Sequence, residues 1–304
     1  MRRTVFFAFL AIVMMMTVGT GCTEKKAAQN DTLSSDSLLA DTSEAEDSME
    51  TIISEEPMPK AADELFDDFF FNFAANRRLQ RERIDFPLTV NSYGKITSVP
   101  AKRWKTEHFF MHQGYYTLVF NNARQLDIVK DTTVGNAYVE KIMFAKNMVK
   151  RWTFKRSLGL WKMLGMTLMP LAKHEDAHFL RFYEAFATDS TTQMNALADF
   201  VSFSGPDPDD DFSRMTGELM PEQWPMFVPW MPSGTIYNIH YGEKPYKPSS
   251  TRILVIRGIA NGMETEMTFR KHKGHWILEK LNTERFPSIT AAWRKNEANH
   301  NKTE

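Results

Sequence analysis

The feature that most limits how this 304-residue chain can fold is an internal repeat. TFKRSLGLWKML (153–164) and TFRKHKGHWILE (268–279) align at an offset of 115, so Thr153, Phe154, Gly159 and Trp161 recur as Thr268, Phe269, Gly274 and Trp276. FDDFFFNFAAN (66–76) aligns with FLRFYEAFATD (179–189) at an offset of 113, matching Phe66, Phe69 and Phe73 to Phe179, Phe182 and Phe186. Between these anchors, Trp104 followed by YTLVFNN (116–122) aligns with Trp224 followed by IYNIHYG (236–242) at an offset of 120. Three anchors in one order at nearly one offset imply a unit of roughly 110 residues copied head to tail.

Each copy opens as a helix, because Phe66, Phe69, Phe70 and Phe73 recur at spacings of three and four, as do Phe179, Phe182, Tyr183 and Phe186. Each closes in strands joined by a tight turn at Gly159 or Gly274. Trp152 and Phe154 alternate with Arg151, Thr153 and Lys155; Met267 and Phe269 alternate with Thr268 and Arg270. One buried and one wet face predict an antiparallel sheet with a helix on one side. The expected class is α+β: two tandem cone-shaped domains, each an N-terminal helix packed on a curved antiparallel sheet.

That helix-first unit resembles the cystatin-like α+β group, specifically the nuclear-transport-factor-like cone. FDDFFFNFAANRRLQRERIDFP, YYTLVF, FSGPDPDDDF and ILVIRGIANG also resemble a family of uncharacterised Bacteroidales lipoproteins, a likeness covering most of residues 62–283. The family has no assigned activity, so the resemblance implies fold and address and supplies no catalytic residue.

The N-terminus carries Arg2 and Arg3 before an apolar run from Val5 to Met16, too short to span a bilayer comfortably and laid out as a secretory signal. It ends in VGTGC, which resembles the lipobox of bacterial lipoproteins; Cys22, the only cysteine in the chain, stands where acylation would occur. A disulfide within one molecule is therefore excluded. Residues 23–60 hold ten acidic side chains against three lysines and almost no aromatic residues, the composition of a disordered tether. Residues 61–304 hold 28 acidic and 32 basic side chains, with no dense basic stripe, so nucleic acid is not an expected partner. The expected organisation is a signal peptide (1–21), an acidic tether (22–60), a first domain (61–172), a second domain (173–286) and a polar tail (287–304). The expected location is the bacterial cell envelope, held to the outer membrane through lipid (palmitate) on Cys22 and facing the periplasm.

Residues 174–178 read HEDAH, the short zinc-peptidase signature H-E-x-x-H. The repeat register places it in the first turn of the second copy's opening helix, where Glu175 and Asp176 suit the helix dipole. FLRFYEAF follows, with no third ligand at usable spacing, and Glu184 lies only six residues beyond His178 on the same helix. His174 and His178 are thus weak metal candidates, and zinc-dependent hydrolysis is a remote reading. His108 and His112 are four apart, suiting one face of a short helix, again without a third ligand. PDPDDDF (206–212) clusters carboxylates, of which Asp209 and Asp211 are weak cation candidates, but it lacks the glycine and distal glutamate of an EF-hand loop. No nucleophile elbow, Walker A sequence or dinucleotide fingerprint occurs, and no cofactor is expected.

The residues assigned inward are Phe, Trp, Met and Leu, without a paired carboxylate or Tyr–Asp couple. This favours a non-catalytic binding module for a protein, glycan or small ligand over the alternative, a cone-fold isomerase or hydrolase with an internal cavity. A purely structural role in envelope assembly is the third reading. MFVPWMP (226–232), preceded by Trp224, carries Pro225, Pro229 and Pro232 and reads as a loop. Phe227, Trp230 and Met231 on that loop, with Trp224, either plug the second cone or form a surface for a partner or ligand.

Overall fold

The structure, a computed structural model, describes residues 58–207, 210, 213–242 and 249–284. The signal segment, Cys22, most of the tether, Asp209, Asp211 and the C-terminal tail lie outside the described residues.

In the first segment, helix α1 (Phe66–Ala75) starts with Asp67 and Asp68 in its first turn, where carboxylates complement the helix dipole. It stops at Asn76, whose side chain accepts the Leu79 backbone N–H at 2.8 Å and so opens α2 (Arg77–Arg83). Strands β1 (Ile84–Ser92), β2 (Lys95–Val99), β3 (Tyr115–Phe120), β4 (Asn136–Met143), β5 (Met148–Ser157) and β6 (Leu160–Pro170) follow. The second segment repeats this order. Helix α3 (Ala177–Thr188) ends at Asp189, whose carboxylate accepts from Thr191 and Thr192 N–H and opens α4 (Ser190–Asn195). Strands β7 (Leu197–Pro206) and β8 (Arg214–Leu219), the one-turn helix α5 (Trp224–Phe227), and strands β9 (Thr235–Tyr241), β10 (Thr251–Gly258), β11 (Glu264–His272) and β12 (His275–Thr283) complete it.

The aromatic contacts repeat too. Phe66 meets Phe154 at 5.4 Å and Trp161 at 4.9 Å; Phe179 meets Phe269 at 5.6 Å and Trp276 at 5.2 Å. Phe73 stands edge-on to Phe154 at 5.4 Å, as Phe186 does to Phe269 at 5.2 Å. Edge-to-face pairs of this kind each add about 0.5–1.5 kcal/mol beyond the area they bury. Both hairpins turn through two residues of positive φ, Leu158–Gly159 and Lys273–Gly274, the geometry that matches strand twist.

The strands do not form two sheets. All twelve join in one, ordered β2-β1-β6-β5-β4-β9-β3-β10-β11-β12-β7-β8. Replacing each strand of the first segment by its counterpart in the second reverses this list onto itself. At its centre β9 and β3 run parallel, with Thr117 opposite Asn238 and Leu118 opposite Ile239. β9 pairs antiparallel with β4, and β3 with β10, so each segment supplies a strand to the other's side of the sheet. The boundary expected at 172/173 therefore separates two runs of sequence but not two sheets.

Central strands are buried on both faces. All six residues of β3 are buried, and they alternate between two cores. Tyr116, Leu118 and Phe120 join the core under α1, while Tyr115 and Val119 join the core under α3. Successive side chains of a strand point to opposite faces, so α1 and α3 lie on opposite faces of the sheet. Continuous apolar strands such as YYTLVF are the composition that two-sided burial demands.

Because β4 and β10 are each completed by a strand from the other segment, residues 58–172 and 173–284 produced separately should not give stable folded monomers. Co-expression should give a 1:1 complex with the far-ultraviolet dichroism of the intact chain. Two well-dispersed monomeric fragment NMR spectra would contradict the exchange.

Candidate functional sites

Every polar side chain of HEDAH is engaged in holding the second helix to the sheet. His174 Nδ1 accepts the Asp176 backbone N–H at 3.0 Å, so its proton sits on Nε2, which donates to Glu140 Oε1 at 3.1 Å. Glu175 takes both terminal nitrogens of Arg151, whose Nε donates to Glu140 at 2.6 Å. Asp176 is bidentate to buried Arg252, at 2.8 and 2.9 Å. His178 Nδ1 accepts the indole N–H of Trp276 at 3.0 Å. The two histidines thus serve different partners, and among the described residues no group of three His, Cys, Asp or Glu is placed to hold a metal.

The network continues to the exchanged strands. Glu140 is 1% exposed and accepts from Asn238 Nδ2 at 3.4 Å, and Asn238 in turn faces Thr117. Burial would raise the Glu140 carboxyl, but the charge interaction and hydrogen bond with His174, and then those with the Arg151 guanidinium, outweigh it and hold it down to about 2. Burial pushes the Asp176 carboxyl up even against Arg252, and removing it would strand a guanidinium in the core.

His108 and His112 lie 5.1 Å apart, ring centre to ring centre, and both are exposed. They flank a turn rather than a helix, because Phe109 adopts φ 51° and drives its ring with Phe110 into the core under α1. Asp207 and Asp210, described parts of the acidic run, close the β7–β8 loop through backbone bonds with Ser213.

A Tyr–Asp couple does exist, contrary to the sequence expectation. Asp67 of α1 accepts from Tyr241 of β9 and from Tyr116 of β3 (3.4 Å), beside Arg257 of β10, which donates to Glu264 at 2.7 Å. Burial raises the Asp67 carboxyl despite the tyrosine bonds and Arg257, and burial with the Asp67 charge raises both phenols. In sequence Asp67 reads as an ordinary first-turn carboxylate. Strands buried on both faces give no alternation by which to aim the tyrosines.

The MFVPWMP stretch is partly helix. Pro225 occupies the first turn of α5, where its missing N–H costs nothing, and Val228 N–H closes the turn onto Trp224 O at 2.9 Å. Trp224 and Trp230 are 2% and 5% exposed, and Trp230 stands edge-on to Tyr115 at 4.7 Å. Both therefore plug the core, as does Met231 at 9% exposure. Phe227 is half-buried against Phe203 at 5.0 Å, whereas Met226 is 66% exposed.

The plug does not fill its site. Beside it lies a cleft of about 580 Å³, open to solvent, walled on one side by Trp224, Pro225, Val228 and Pro229. The end of α3 and the start of α4 form the other wall through Thr188, Ser190, Gln193 and Met194. Its size falls in the range of small-ligand sites, and among the described residues no side chain lining it is ionisable. Of the residues singled out for contact by sequence, Trp224, Trp230 and Met231 line the cleft and Phe227 does not; the α3–α4 junction that sequence did not flag supplies Thr188, Ser190 and Gln193.

A family model described as a domain of unknown function, DUF4348, matches residues 45–283. A crystallised NTF2-like protein from Bacteroides fragilis NCTC 9343 is similar, at 37% identity and a TM-score of 0.67, over 75% of this chain and 99% of that one. A search of curated proteins finds no match.

Two outcomes follow from these geometries. Asp176→Ala should destabilise the fold by about 3–5 kcal/mol, the range for a buried ion pair losing one partner, while a chelator should leave the melting temperature of the intact protein unchanged. Asp67 has a folded pKa raised above 3.8, so the folded state holds more protons just above that value and stability falls as pH rises through the raised pKa. Asp67→Asn should remove that fall, making the variant relatively more stable at neutral pH than at pH 4; denaturant titrations at the two pH values measure it.

Proposed function

With the chain a member of the DUF4348 family, whose function its description leaves open, we propose that it is a non-catalytic binding module of the cell envelope, built from two copies of one unit. The observation that carries the binding reading is the open cleft beside α5, whose described lining consists of apolar and neutral polar side chains. Taking a charged group from water into such a lining would leave it unpaired, so the cleft suits a neutral ligand with both apolar and hydrogen-bonding parts. General acid–base chemistry would need a titratable side chain there, and the described lining residues include none.

Lipid on Cys22 is the proposed anchor, supported by the basic and apolar leader and the VGTGC sequence that ends at the only cysteine. The acidic stretch that follows would set the binding body off from an outer-membrane surface on the periplasmic side.

An isomerase- or hydrolase-type enzyme is the second reading, and Asp67 between Tyr116 and Tyr241 is the observation in its favour. A buried carboxyl whose pKa burial raises is a suitable acid–base group.

Neutral probes such as indole and cyclohexanol, titrated into isotopically labelled protein, should shift backbone signals of Thr188, Met194 and Val228, and Thr188→Trp should abolish the response. Shifts centred instead on Asp67 and Tyr241 would overturn the cleft reading and favour the enzyme. Incorporation of a fatty-acid label should vanish in Cys22→Ala; label retained by that variant would overturn the anchor.

A further inference from the structure

Gln80 and Gln193 hold the same place in the two segments, each four residues beyond the side chain that caps its helix, Asn76 or Asp189. Each carboxamide oxygen accepts an indole N–H: Trp104 on Gln80 at 3.3 Å, Trp224 on Gln193 at 3.1 Å. Each carboxamide nitrogen donates to a carbonyl at the end of the preceding long helix, Ala74 O at 3.4 Å or Phe186 O at 2.8 Å. There the likeness stops. Gln80 Oε1 also accepts the backbone N–H of Glu107 at 3.1 Å, and Gln80 Nε2 also donates to the backbone carbonyl of Glu107 at 2.7 Å. One side-chain amide reads both main-chain groups of one residue, and Gln80 is fully buried.

A primary carboxamide has two acceptor lone pairs and two N–H donors. Gln193 spends one of each on Trp224 and Phe186, and the remaining pair belongs to a residue that lines the open cleft. The cause of the difference is readable in the sequence. Trp104 and Trp224 each stand ten residues before a glycine of φ 72°, Gly114 or Gly234, which leads into β3 or β9, so Phe227 corresponds to Glu107. Residues 104–108 hold no helix, and this path lays the Glu107 backbone on Gln80. In the second segment Pro225 starts the α5 turn, and the backbone of Phe227 coils into it.

We propose that the cleft binds an extended peptide, one residue of which places its backbone N–H and C=O on Gln193 as Glu107 does on Gln80. This rests on the reading of the cleft as a ligand site and names the ligand's chemistry. The paired donor and acceptor are those by which one strand reads another, and the uncharged lining selects a segment with apolar or neutral side chains.

The test titrates N-acetyl-Ala-Leu-Ala-amide into labelled intact protein, following the Gln193 side-chain NH2 signals and the backbone of Thr188 and Val228. Saturable shifts at all three are expected. Replacing each backbone amide N–H of the peptide in turn by an ester oxygen should weaken binding about tenfold at one position, the cost of leaving the Gln193 acceptor unpaired. Gln193→Glu should lose together the N–H groups that donate to the Phe186 carbonyl and to the peptide carbonyl, and Thr188→Trp, which leaves Gln193 in place, guards against a variant that fails for want of folding. Equal binding by every ester, or peptide shifts outside the cleft, would overturn the proposal. Indole binding in the cleft without peptide binding would sink the peptide and spare the cleft; silence from both probes would sink both.

Discussion

Thr117, Asn238 and Glu140 meet, all but fully buried, where the two exchanged strands run side by side, and the remainder of the architecture hangs on that polar seam. A sheet apolar on both faces has little to fix its register, since any slip of two residues presents another apolar set. Buried hydrogen-bonding groups supply what the apolar residues lack, because a slipped strand would leave them unsatisfied. Glu140 carries the seam onward to His174 and Arg151, and Arg151 to Glu175. The connection between segments is thereby pinned to the middle of the sheet. The pentapeptide that resembles a metalloprotease signature is a clamp.

Much of this was legible in sequence, and what was not failed for definite reasons. Phenylalanine spacing located α1 and α3, and glycine turns with alternating strands located both hairpins, because each is a local pattern with one buried face. The α+β class with a large sheet and an NTF2-like neighbour agrees with that reading. Pairing partners are another matter. YYTLVF and IYNIHY carry no alternation, and nothing in either tells β3 to lie beside β10 rather than β4.

The candidate surface was half legible for a similar reason. Proline spacing drew attention to Trp224, Phe227, Trp230 and Met231, of which all but Phe227 line the cleft, Phe227 packing on Phe203 instead. The opposite wall comes from the α3–α4 junction, whose Thr188, Ser190 and Gln193 read as ordinary helix-end residues. Only comparison of the two segments shows that, among the described residues, the Gln80 side chain meets four hydrogen-bond partners and that of Gln193 two. Asp67 was hidden by its own plausibility as a dipole-complementing residue.

The exchange of β3 and β9 has a consequence in time. β4 ends at Met143, but the strand that covers its free edge begins at Thr235. At about 5–20 residues per second of synthesis, that edge stays open for several seconds while the chain elongates, and β3 waits still longer for β10. An emerging chain of this kind cannot lock its first half early.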